Sequence, residues 1–190
     1  MPKAFNPVTS TRSFEIRTSE CFECLIAPRL FEHILKQALN VSIRLNYLEY
    51  DINEAELLNR QTDLVVGVDR FMFMAKHLSH ELLPKDKLVC MVGRQHNISR
   101  TSDAINIEQY AKQYNVYESL VQFIDLEQTL NIAKLQVLPV KSYSAVVSLL
   151  ERTQAMATLP YLSANMLSRF GDVRILKAPE EFPDFRMNMI

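Results

Sequence analysis

Two cysteines, two histidines and a scatter of serines are the side chains here whose spacing could do chemistry. Cys21 and Cys24 form a Cys-x-x-Cys pair after a strand-like stretch, the setting in which a dithiol can cycle with a disulfide. A helix N-terminus would lower the first thiol's pKa and favour the reactive thiolate. Glu20 and Glu23, however, flank the pair with negative charge, and one helical turn aims the two Cβ vectors poorly for a disulfide. The pair therefore reads as packing residues rather than a redox centre. His77 and His80 could offer two metal ligands, but no third is spaced to join them. His33 and His96 carry no stronger signal, and Cys90, inside an apolar run, reads as core. Ser19, Ser119, Ser142 and Ser144 invite a nucleophile reading. None lies in a Gly-x-Ser-x-Gly elbow, and no histidine is placed as base. Hydroxyls that cap helices or bind a ligand fit better, so no catalytic residue, metal or cofactor is assigned.

The elements that position these groups are set out in the stretch 14–49. Phe14 and Ile16 alternate with charged residues, the pattern of a short strand with one apolar face. Ser19 suits a helix N-cap, with Glu20 and Glu23 in the first turn. Leu25, Ile26, Leu30, Phe31, Ile34, Leu35 and Ala38 then mark one helical face, kinked at Pro28. Val41, Ile43, Leu45 and Tyr47 alternate as a second strand. Strand, helix, strand predicts a right-handed βαβ unit with parallel strands. Ligands of such units bind beyond the carboxyl ends of the strands, where Thr18 and Ser19 stand.

Further along, 54–59 predicts a short helix, and 63–68 is a continuous apolar run that suits a buried parallel strand. A second such run covers 87–92. Ile107, Tyr110, Ala111 and Tyr114 fall on one helical face. Strands are expected at 115–120, 135–140 and 155–159, and helices at 126–133 and 142–152. A last helix starts at Pro160 and ends on Gly171 as its C′ residue. Val173 and Ile175 begin another strand, and Phe185, Met187 and Met189 alternate as one strand to the end. The alternation of strands and helices predicts an α/β protein with mostly parallel sheets.

Composition excludes several classes. The 190 residues are 48% hydrophobic, enough for a core. Net charge is −1 with no block of like charges, unlike a free-standing nucleic-acid binder. No apolar run is long enough to span a bilayer and no signal-peptide h-region follows Met1. Three cysteines argue for a reducing cytoplasm rather than a disulfide framework. With only Gly67, Gly93 and Gly171, a phosphate-cradling glycine loop is excluded.

In order and spacing the whole chain resembles the effector-binding domain of LysR-type transcriptional regulators. The matching segments are 5–14 (FNPVTSTRSF), 25–30 (LIAPRL), 63–67 (DLVVG) and 83–96 (LPKDKLVCMVGRQH). Residues 69–72 and 155–160 (AMATLP) look like the nodulation-activator and leucine-operon-regulator branch. The glycine usual before the last strand of the second subdomain is missing between Glu151 and Met156.

The resemblance implies a type II periplasmic-binding-protein-like fold, two Rossmann-like subdomains joined by two crossover segments. Residues 1–12 would be linker, 13–88 and 161–190 subdomain I, and 89–160 subdomain II. It implies a cytoplasmic, non-enzymatic sensor that binds a small-molecule effector in the cleft between subdomains. It also implies a homodimer, a tetramer in the full-length protein. DNA would be reached only through an N-terminal winged helix-turn-helix that has no counterpart here, which makes the chain a fragment of a longer regulator. The alternative is a free-standing solute-binding receptor of the same fold. Carried over position by position, the ligand-binding residues are Thr18, Ser19, Tyr50, Val68, Asp69, Ser119, Ser142, Tyr143 and Thr158. Helix N-termini favour an anionic effector, while Glu20 and Asp69 bring negative charge to the same edge, so both effector charges stay open.

Overall fold

The structure is a computed structural model and describes residues 5–48, 54–68, 78–118, 126, 128–132 and 136–190. Among these the strands are β1 (Ser13–Thr18), β2 (Ser42–Tyr47), β3 (Leu64–Val68), β4 (Glu81–Leu82), β5 (Asp86–Gly93), β6 (Tyr114–Tyr117), β7 (Gln136–Pro139), β8 (Ala155–Pro160), β9 (Val173–Lys177), β10 (Asp184–Phe185) and β11 (Met187–Met189). The helices are α1 (Glu20–Leu25), α2 (Ala27–Gln37), α3 (Glu54–Leu58), α4 (Ile107–Ala111), α5 (Tyr143–Arg152) and α6 (Tyr161–Leu167). The chain divides into two units, Met1–Pro84 with Arg186–Ile190, and Lys85–Phe185.

The first unit carries one sheet in the order β2-β1-β3-β11-β4. β1 pairs in parallel with β2, Ser13 opposite Ser42 through Thr18 opposite Tyr47, and with β3 from Ile16 opposite Leu64. This is the βαβ unit the sequence predicts. β3 is its buried centre, with Val65 and Val66 out of solvent. The crossover is two helices rather than one kinked helix. α1 closes with Ile26 N–H on the Phe22 carbonyl, and α2 opens with Leu30 N–H on the Ile26 carbonyl. Pro28 has no N–H to continue the first ladder and sits instead in the first turn of α2, where none is required.

α2 buries none of its residues. Leu30 and Ile34 are half-buried, while Phe31, Leu35 and, just beyond, Leu39 stay exposed. The segment expected to be linker packs on β1. Phe5 meets the Phe14 ring edge-on at 6.0 Å, and the Arg12 guanidinium lies 4.7 Å over the same ring.

The second unit carries the order β10-β5-β8-β6-β7, with β9 also on β5. β6 is parallel to β7 and β8, whereas β5 runs antiparallel to β8, β9 and β10. The sheets are therefore mixed rather than mostly parallel, because an apolar run such as 87–92 signals burial on both faces, not strand direction. Tyr114, expected on the helix of Ile107, begins β6 instead; an Asn106–Gln109 capping box starts that helix and it ends at Ala111.

α5 is capped by Ser142 and buries Tyr143, Val146, Val147 and Leu150. β5 approaches it so closely that a Cβ on Gly93 would strike the Leu150 carbonyl. α6 ends at Leu167 with Ser168 as its C-cap, and no glycine has positive φ. Gly171 is thus no C′ residue; a Cβ there would meet Val147 and Glu151 of α5.

Two sequence expectations about the passages between units shift. The alternating tail is two strands, β10 on β5 in the second unit and β11 on β3 and β4 in the first, so the chain changes unit at Arg186. α6 and β9, expected in subdomain I, belong to the second unit because β9 pairs with β5 over five residues from Val89 to Gly93.

Candidate functional site

In each sheet one central strand, β1 or β6, lies between two parallel neighbours, and the third of these meets an antiparallel strand. Loops that leave the carboxyl ends of such parallel strands form binding edges. At the end of β1, Thr18 is fully buried opposite Val66, two residues before β3 ends at the half-buried Val68. Ser19 follows as the N-cap of α1 with extended backbone, φ −93° and ψ 162°, but its side chain makes no capping hydrogen bond. Thr18 Oγ1 and Ser19 Oγ are both shielded from solvent, and among the described residues neither has a hydrogen-bond partner. Two adjacent buried hydroxyls in this condition are uncommon, since each costs about 1–3 kcal/mol relative to a paired one.

The cations around them are committed. Arg17 Nε lies 2.7 Å from Glu56 Oε2, Arg44 Nη1 lies 3.0 Å from Glu15 Oε1, and Arg12 pairs with Asp63. What the described part of this edge offers is therefore neutral hydroxyl. Tyr50 and Asp69, expected beside it, lie outside the described residues, as does Ser119.

In the second unit the expected hydroxyls are engaged. Ser142 Oγ accepts from Ala145 N–H at 3.3 Å and lies 3.1 Å from Ser144 Oγ, so it caps α5. Tyr143 is buried and donates to Ser163 Oγ at 3.4 Å. Thr158 faces the core, its Oγ1 2.9 Å from Tyr110 Oη, which lies 2.6 Å from Tyr117 Oη. Burial, then the neighbouring Tyr110, pushes the Tyr117 hydroxyl well above its ordinary pKa. Burial likewise raises the Cys90 thiol to about 12, against a smaller lowering by its hydrogen bond from Thr158. These groups stay neutral and hold the core together.

Sequence reasoning missed this cluster because Tyr110 and Thr158 are 48 positions apart. It also passed over Glu118, which is buried directly after β6; a carboxylate just past a central strand was the available signal.

Cys21 is buried, Cys24 half-buried, and neither forms a disulfide. His96 is buried too, its Nε2 2.9 Å from the Gln154 carbonyl and its Nδ1 3.2 Å from the Ile98 N–H. Among the described residues no group of three or more His, Cys, Asp or Glu side chains is placed to hold a metal ion. Nor, among them, is any helix long and apolar enough to cross a membrane.

The family model described as LysR substrate binding domain matches residues 9–190. Nodulation protein D 2 of Rhizobium leguminosarum bv. phaseoli is 27% identical over 189 residues, 95% of this chain. The chain spans only 57% of that relative's length. Among solved structures, a probable transcriptional regulator from Pseudomonas aeruginosa superposes with a TM-score of 0.85 at 19% identity, over 97% of this chain and 63% of that one. The effector binding domain of QuiR in complex with shikimate gives 0.70 at 19% identity, over 93% and 85%. The fold is that of LysR effector-binding domains, type II periplasmic-binding-protein-like.

Proposed function

This chain belongs to the LysR substrate binding domain family, and on that premise we propose that it is the effector-sensing part of a LysR-type transcriptional regulator. A small molecule is taken up at the carboxyl edge of β1, and Thr18 and Ser19 hydrogen-bond it. The observation that carries this reading is the adjacent pair of buried hydroxyls that have no partner among the described residues. A ligand with a carboxylate, hydroxyl or carbonyl gives both of them partners and removes the cost of leaving them unmade. QuiR, whose structure holds shikimate, takes a ligand of that chemistry.

Sensing follows from differential binding. An effector that binds one conformation better than another shifts the balance between them, by no more than the difference in affinity. With a net charge of −1, the chain itself is a poor DNA ligand. The reading therefore assigns DNA contact to a winged helix-turn-helix and places the protein in the cytoplasm, where such regulators meet DNA. It also assigns a homodimer, because the apolar side chains of Phe31 and Leu35 on α2 and of Leu39 just beyond it are left in solvent and a two-fold contact would cover them twice. The reading makes the domain a sensor rather than an enzyme; His96, one of the described histidines, is turned onto the Gln154 carbonyl rather than onto a serine.

A thermal-shift screen of small metabolites and aromatic acids tests the proposal. A true effector stabilises the chain by about 2.7 kcal/mol at a hundredfold excess over its Kd. If every stabilising compound works equally well on Ser19→Trp, the effector does not bind at β1.

A further inference from the structure

Tyr110 stands where several parts of the second unit meet. It sits on α4, is fully buried, and holds its hydroxyl 2.6 Å from Tyr117 Oη and 2.9 Å from Thr158 Oγ1. Tyr117 is the last residue of β6, the strand between β7 and β8. Its carbonyl takes the Val140 N–H, just beyond β7, at 2.6 Å. The hydroxyls therefore fix the carboxyl end of β6, the edge at which parallel strands bind ligands. The ring of Tyr110 meets a different stretch of chain: Phe182 stands edge-on to it, centroids 4.9 Å apart.

Phe182 belongs to residues 178–183, which leave the ladder between β9, with Lys177 opposite Val89, and β10, with Asp184 opposite Lys87. β10 is the strand by which the chain quits the second unit, Phe185 being the last residue before the passage at Arg186. Its ladder on β5 is two residues long, and the exposed Lys85–Asp184 pair at 3.1 Å beside it contributes little. Phe182 N–H closes a turn on the Pro179 carbonyl at 3.1 Å, and Pro183 joins Phe182 to β10. Proline fixes its own φ and restricts the residue before it, so few free torsions lie between Phe182 and Asp184. A groove of about 980 Å³ lies against the segment, lined by Pro179, Phe182 and Pro183 among others. The segment thus has open space to move into. Coupling between distant points needs an element with two arrangements, and residues 178–183, seated on Tyr110 or released from it, supply one.

We infer that Tyr110 is a latch that couples the carboxyl end of β6 to β10. Its hydroxyl holds β6 and its ring seats Phe182, so loosening either end loosens the other. A ligand that shifts the end of β6 is then felt where the chain passes to the first unit. That use in sensing rests on the effector reading. The coupling itself is measured without a ligand, so it stands or falls apart from that reading.

Amide hydrogen exchange of the intact chain tests it, because exchange resolves local opening from global unfolding. The rates at Val140 and at Phe182, Asp184 and Phe185 are each divided by that of Met91, which lies in β5 between β8 and β9 and reports opening of the whole unit. Phe182→Leu should raise the Val140 ratio about tenfold; Tyr110→Phe, which keeps the ring and removes the hydroxyl, should raise the ratios at 182–185 by a similar factor. Val147→Ala, which opens a cavity under α5 in the same unit, should leave all these ratios within about twofold. The two latch variants act from opposite ends, so if one fails to fold the other still decides. A Val140 ratio unmoved by Phe182→Leu, ratios at 182–185 unmoved by Tyr110→Phe, or an equal rise in Val147→Ala would each overturn the inference.

Discussion

At His96 both ring nitrogens are engaged: Nε2–H donates to the Gln154 carbonyl, and Nδ1 accepts from the Ile98 N–H. Only the neutral ring can do both, and burial lowers its pKa below the ordinary 6.5 despite the opposing effect of the Gln154 bond. The unfolded chain then binds the extra proton first. His96 contributes full stability above about pH 6.5 and loses it as pH falls from there through the folded-state pKa. Urea denaturation from pH 7.5 to 4.5 should show this loss, and His96→Asn, which keeps an acceptor for Ile98, should flatten it. An equal slope in both proteins would remove His96 from the account. At this scale the sequence was legible where neighbours decide the outcome: a strand ending in Thr18 and a cap at Ser19 are local patterns. The engagement of Thr158 by Tyr110 was not, because β6, β8 and α4 must assemble before those hydroxyls meet.

Among the elements, β5 and α5 meet at Gly93 with no room for a side chain. The Leu150 carbonyl that a Cβ on Gly93 would strike is helix backbone and cannot swing aside as a side chain can, whereas the groups facing Gly171 are the ends of Val147 and Glu151. Gly93→Ala should cost about 1–3 kcal/mol by overpacking, and Gly171→Ala distinctly less, measured as free energies of unfolding. Equal costs would mean that α5 gives way to β5 as easily as side chains do. Helix and strand positions were largely readable from periodicity, including the parallel pair β1 and β2. Strand direction and the splitting of elements were not. Alternation is identical in parallel and antiparallel strands, which hid the reversal of β5, and it continues unbroken from β10 to β11 although the two pair in different sheets. Pro28 signalled a disturbance, yet only the paired amides show that the helix restarts there.

On the scale of the whole molecule, the apolar stripe of α2 and the orphan hydroxyls of β1 lie at opposite ends of the same crossover, one exposed and one buried. Light scattering at micromolar concentration should give twice the 22.0 kDa chain mass, and Phe31→Glu with Leu35→Glu should return the chain mass itself. A parent protein that stays at 22.0 kDa would contradict the homodimer. The fold class was legible because the order of segments spans the chain and agrees with the family match over residues 9–190; the unit boundary was not, since it depends on which sheet each late strand joins. The central claim is that an effector binds on Thr18 and Ser19, and calorimetric titration of the best thermal-shift compound tests it most directly. The unaltered chain should bind one equivalent per protomer, and Ser19→Trp should bind at least about tenfold more weakly, a difference of about 1.4 kcal/mol, with its unliganded unfolding midpoint nearly unchanged. Equal affinity in the two proteins would contradict the claim.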